Sequence, residues 1–180
     1  MTTFRRSILT LSVLSLPLLA GCGLFGKQVS MELTDEDKQR CPAVGIVAYT
    51  GESTRFVDGG GRTTADVVSR GSISGLKVDC FNTETGVDAT VSFDLNASTG
   101  PASRRGSVEL EYFVVLSNDD KPLERKLYTV SVPMLNGHGS VRQYVGIQMP
   151  FADDGVKLVD KEVLLGFQLS REELTYNIHR

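Results

Sequence analysis

The chain has 180 residues, of which 41% are hydrophobic and 23% charged, with 18 Gly, 6 Pro, 3 Cys and no Trp. That composition excludes a wholly disordered chain, and the length suits one domain with a sizeable core. The formal net charge of -3, with no basic block beyond Arg5-Arg6 and Arg104-Arg105, excludes a nucleic-acid binder that works through a basic face.

The chain begins with an address rather than a fold. Arg5 and Arg6 form a charged start, and Ile8 to Leu19 is a 12-residue apolar run interrupted only by small hydroxyl residues and Pro17. A membrane-spanning helix needs roughly 20 apolar residues, so the run is too short to span; it has the length of a signal-peptide core. Leu19-Ala20-Gly21-Cys22 follows directly. This string resembles the lipobox of bacterial lipoproteins: an aliphatic residue, two small residues, then cysteine. The resemblance implies removal of residues 1–21 by cleavage between Gly21 and Cys22. It also implies a diacylglyceryl thioether on Cys22 and a fatty acyl chain, such as palmitate, on the new amine. Two or more acyl chains hold a protein stably at a membrane where one does not. The leucine-rich apolar run, and the lack of Ser or Thr before the arginine pair, favour the general secretory route over the twin-arginine one. Gly23 stands where an Asp would signal retention at the inner membrane. The expected location is therefore the outer membrane, with the protein facing the periplasm.

Residues 22–40 read as a lipidated start and a flexible tether. They include Gly23-Leu24-Phe25-Gly26 and the polar run Thr34-Asp35-Glu36-Asp37-Lys38-Gln39-Arg40. As coil, this segment would span roughly 20–25 Å, enough to lift a domain clear of lipid headgroups. Two of the 19 basic residues leave with the signal, which sets 17 against 22 acidic ones in the mature chain.

With Cys22 carrying lipid, Cys41 and Cys80 remain. An even pair in an exported chain predicts a disulfide. Closing a loop of about 40 residues would stabilise by roughly 4 kcal/mol in the chain-entropy model. The alternative is a pair of buried free thiols. His138 and His179 follow no zinc-ligand spacing with these cysteines, so no metal site is expected.

From Cys41 onward the hydrophobic period is 2. Val44-Ile46-Ala48 is a plausible strand, Asp66 to Ser69 a second and Leu76-Val78-Cys80 a third. Val87, Ala89, Val91, Phe93, Leu95 and Ala97 alternate with polar residues, as a half-buried strand does. Val108, Leu110, Tyr112, Val114 and Leu116 repeat the pattern. Tyr128-Val130-Val132, Val145-Ile147-Met149 and Val163-Leu165-Phe167-Leu169 follow. Turn signals lie between them at Thr85-Gly86, Thr99-Gly100-Pro101, Asn118-Asp119-Asp120, Asn136-Gly137 and Asp153-Asp154-Gly155. Ser170 and Glu173 form a capping-box pattern that predicts a short helix to about Tyr176.

Residues 41–180 are thus expected to form one all-β domain. The predicted architecture is an antiparallel sandwich of the immunoglobulin or fibronectin-III type with a short C-terminal helix, and a lipocalin-like barrel is the alternative. Cys41-Pro42-Ala43-Val44-Gly45-Ile46-Val47, Gly61-Arg62-Thr63-Thr64-Ala65-Asp66-Val67, Gly100-Pro101-Ala102 and Gly166-Phe167-Gln168-Leu169 with Tyr176-Asn177 resemble strings in uncharacterised envelope lipoproteins of alphaproteobacteria. That resemblance implies an envelope location and no particular activity.

Catalytic patterns are missing from the sequence. Gly71-Ser72-Ile73-Ser74-Gly75 has Ile where a nucleophile elbow has Ser. Gly59-Gly60-Gly61-Arg62-Thr63-Thr64 lacks the spacing and lysine of a phosphate loop. His138 follows an Asn-Gly turn, and neither Asp119-Asp120 nor Asp153-Asp154 fits a calcium loop. The expectation is a non-enzymatic envelope module, without cofactor, metal or nucleic acid, that meets other envelope proteins through an edge strand or loops. The alternative is a periplasmic carrier of a small apolar ligand or lipid, which needs a hollow lined by the alternating apolar residues.

Overall fold

A computed structural model describes residues 41–103, 106–118, 121–150 and 161–180. The signal with Gly21, the lipidation site Cys22, the tether and the turns at Asp119-Asp120 and 153–155 lie outside the described residues.

The period-2 runs become strands. In chain order these are β1 (Ala43–Ile46), β2 (Glu52–Phe56), β3 (Val67–Asn82), β4 (Gly86–Thr99), β5 (Ser107–Asn118), β6 (Lys121–Pro133), β7 (His138–Pro150) and β8 (Lys161–Phe167). They form two four-stranded sheets, ordered β1-β8-β5-β6 and β2-β3-β4-β7. Every neighbouring pair is antiparallel except β1 and β8, which run parallel. The sheets face each other and do not close, so the architecture is the expected sandwich and not the barrel. Its strand order differs from that of immunoglobulin constant domains, which set strands A, B, E and D against C, F and G.

The core is what the alternation specifies. Val91, Phe93 and Leu95 of β4 face Leu110, Tyr112 and Val114 of β5, with Val163, Leu165 and Phe167 of β8 beside them, all buried. The Phe93 and Tyr112 rings meet edge to face across the sheets at 5.3 Å, and Tyr112 stacks on Tyr128 at 5.0 Å. Burial, with Tyr128 adding to it, pushes the Tyr112 phenol up to about 12. Its hydroxyl donates to Gln143 Oε1 at 3.3 Å. Gly71 makes the close approach of the sheets possible: a Cβ there would stand 2.8 Å from Leu110 Cδ2 and 3.2 Å from Phe167 Cζ.

β3 joins two segments that the sequence separates, Asp66–Ser69 and Leu76–Cys80. The register against β4 slips between Ser74 and Lys77. Gly75 sits there with φ +62°, a left-handed conformation that favours glycine. The extra residue inverts the alternation. Before it Val67, Ser69 and Ile73 are buried; after it Leu76, Val78 and Cys80 are the more buried set. The inversion turns Cys80 into the sandwich, where it packs against the cluster of Val87, Ala89 and Met149. Cys41, just before β1 in the other sheet, meets it there at disulfide distance, with Sγ–Sγ 2.19 Å and Cα–Cα 5.6 Å.

The capping box predicted at Ser170 is present. Glu173 N donates to Ser170 Oγ at 3.2 Å, and Ser170 N donates to Glu173 Oε2 at 2.8 Å. The helix it starts, α1 (Arg171–Ile178), runs two residues beyond the expected end. It lies across β2, an edge strand. Phe56 and Tyr176 meet edge to face at 5.0 Å, and Asn177 Nδ2 donates to the carbonyls of Tyr49 and Glu52, each at 2.8 Å. A helix over an edge strand removes it as a template for aggregation.

Candidate functional site

β6 and β7 leave a tight turn together and then part. Asn136 and Gly137 have φ values of 53° and 81°, the pair of positive angles that a two-residue hairpin turn needs, and Leu135 bridges to His138. Beyond the turn the strands enter different sheets, and each is the free edge of its sheet. The space between them opens into a cleft of about 610 Å³. Val114 and Leu116 of β5 and Val145 and Ile147 of β7 line it.

The reason the cleft is open lies in β6. Register places Tyr128 opposite Tyr112, Lys126 opposite Val114 and Glu124 opposite Leu116. The inward positions of β6 therefore change from Val132, Val130 and Tyr128 to Lys126 and Glu124. These two charges pair with each other at 3.0 Å and stay half exposed, since burying them would cost several kcal/mol per ion. Inward-pointing charge is also a known way of discouraging a free edge from pairing with a copy of itself.

On the other face of the same sheet the pattern is reversed. Phe113 stands opposite Leu127, and Val115 is flanked by Arg125 and Leu164. These residues form an apolar band on the outer surface. Leu127 is 54% exposed, and Leu123, beside the slip in register at the end of the sheet, is 57% exposed. Arg125 lies over the Phe113 ring at 5.1 Å and donates to Gln168 Oε1, covering part of the band. The sequence reading missed this band. Its signal was the phase of Phe113, Val115 and Leu127, apolar at positions opposite to the buried set.

The rejected catalytic strings fall into structural roles. Gly71 to Gly75 is the middle of β3, ending in the bulge. Gly59-Gly60-Gly61 precedes a short 3-10 turn, Thr64–Asp66, in which Thr63 N donates to Asp66 Oδ2 at 3.1 Å. His138 opens β7 directly after its turn. Among the described residues no three His, Cys, Asp or Glu side chains stand close enough to hold a metal, and no helix is long and apolar enough to cross a membrane. Comparison with protein-family models, with curated proteins and with solved structures finds no match to this chain.

Proposed function

We propose that this is a lipid-anchored envelope protein whose sandwich acts by binding other envelope proteins, not by catalysis. Its signal is residues 1–21, its lipid is carried on Cys22, and its domain is held on the tether 22–40 at the periplasmic side of the outer membrane. The observation that carries the binding reading is the apolar band of Phe113, Val115, Leu127 and Leu164 beside the free edge of β6. A partner strand that adds to β6 would gain main-chain hydrogen bonds from the edge and apolar contact from the band. The Cys41–Cys80 pair fits export to an oxidising compartment.

The cleft supports a second reading, a carrier of a small apolar ligand. Its floor of Val114, Leu116, Val145 and Ile147 is suitable, but one wall is the charged pair of Glu124 and Lys126. Carriers bury 70–90% or more of a ligand in mostly apolar surroundings. The open, charged wall favours protein binding.

Two measurements test this. Cys22→Ala is expected to abolish incorporation of labelled palmitate and to leave the signal uncleaved; undiminished labelling refutes the anchor. A photocrosslinking residue at Leu127 is expected to give a discrete protein adduct in intact cells, and one at Lys77, on the other sheet, to give none. Equal labelling from both positions refutes the binding face.

A further inference from the structure

The outer face of the sheet β2-β3-β4-β7 carries a second feature, independent of the anchor and of the β6 band. Register aligns its outward residues in rungs. One rung is Thr54, Arg70, Ser98 and His138; the next is Glu52, Ser72, Asn96 and Ser140; the third is Ser74, Asp94 and Arg142. Strands about 4.8 Å apart put Arg70 and His138 roughly 10 Å from each other, with Ser98 between them. Long side chains thus flank a floor of short hydroxyls. Tyr176 of α1 and Arg180, two residues past its end, supply a further wall, and the resulting hollow measures about 500 Å³.

Most charges around the hollow are already matched. Arg180 pairs with Glu52 at 2.5 Å. Arg142 donates twice to Asp94, at 2.8 and 2.7 Å, and this pairing holds the Asp94 carboxyl below the usual carboxylate range. The Asn96 amide is held between Ser74 and Ser140. Among the described residues the Arg70 side chain has neither an ion pair nor a hydrogen bond, and the His138 ring has none. The hollow is therefore net positive on a chain whose formal charge is -3. A guanidinium presents a planar fork of donors that matches the oxygens of phosphate, and serine hydroxyls donate to the same group.

We propose that this hollow binds a phosphate-type oxyanion, gripped by Arg70 and His138 over the hydroxyls of Ser72 and Ser98. The group can come from a free phosphate compound or from the headgroup of a phosphomonoester lipid.

The test is calorimetric titration of the full chain in non-ionic detergent at constant ionic strength. The probes are inorganic phosphate, pyrophosphate and dihexanoyl phosphatidic acid. Saturable 1:1 binding is expected, weakened at least tenfold by Arg70→Gln and severalfold by His138→Gln, and unchanged by Arg125→Gln on the other sheet. Arg70 is exposed, so its variant should melt at the wild-type temperature, which separates lost binding from lost folding. Arg70-dependent binding of the inorganic ions identifies a soluble ligand; Arg70-dependent binding of the lipid analogue alone identifies a headgroup. Absence of binding by all three probes, or binding that Arg70→Gln leaves intact, overturns the proposal.

Discussion

Phe93→Ala is expected to destabilise the domain by about 3–5 kcal/mol, the range for removing a buried aromatic side chain. Phe93 has 0% exposure and sits near the centre of the interface between the sheets, against Tyr112. Truncation leaves a void that neighbours on two hydrogen-bonded sheets are poorly placed to fill, and it removes an edge-to-face ring contact. For a domain of this size the loss corresponds to a fall in Tm of about 10 °C or more. Glu111→Ala, on the outward side of β5, is expected to change stability by less than about 0.5 kcal/mol. Thermal or denaturant unfolding of the two variants compares the faces directly. Equal midpoints would mean that the interior around Phe93 is hollow, which would return weight to the carrier.

Cys80→Ser is expected to cost about 2–5 kcal/mol, the range for a native disulfide in a small exported domain. The bond would close a loop spanning a sequence separation of 39 and would link the segment before β1 in one sheet to β3 in the other. Its loss therefore frees both the unfolded chain and the start of the domain. Exported protein should show no free thiol before reduction and two afterwards, given lipid on Cys22. Two titratable thiols in unreduced, denatured protein would contradict the bond. The position of Cys80 depends on the bulge at Gly75, because an unbroken alternation from Ile73 would turn residue 80 outward, beside Ser72 and Ser74.

Some misses of the sequence reading have a common cause. β2 is Glu-Ser-Thr-Arg-Phe, with no apolar alternation to mark it. It is a strand because β3 pairs with it and α1 lies over it, and its best-buried residue is Thr54, 1% exposed. β6 and β7 begin well before the apolar runs at Tyr128 and Val145. The inward positions in the first half of β6 are the charged Glu124 and Lys126, and those of β7 before Val145 are Gly139, Val141 and Gln143. Neither first half therefore shows an apolar alternation, although Val141 packs against the core. Propensity and alternation report burial, and an edge strand or a strand under a helix is buried by neighbours that its own residues do not reveal.

The sequence by itself determined the all-β class, the inward faces of β4, β5 and β8, the Asn136-Gly137 turn and the cap of α1. Each of these follows from local chemistry: side chains alternate along any extended backbone, positive φ favours Asn and Gly, and a serine three residues before a glutamate closes a helix start. The tertiary structure alone decided which strands share a sheet, that Gly75 reverses the phase of β3, and that β6 and β7 part to open a cleft. It alone set Phe113 beside Leu127, and Arg70 in one rung with His138. These are relations between residues far apart in the chain, and they exist only once register and sheet order are set by the packing of one apolar face on another.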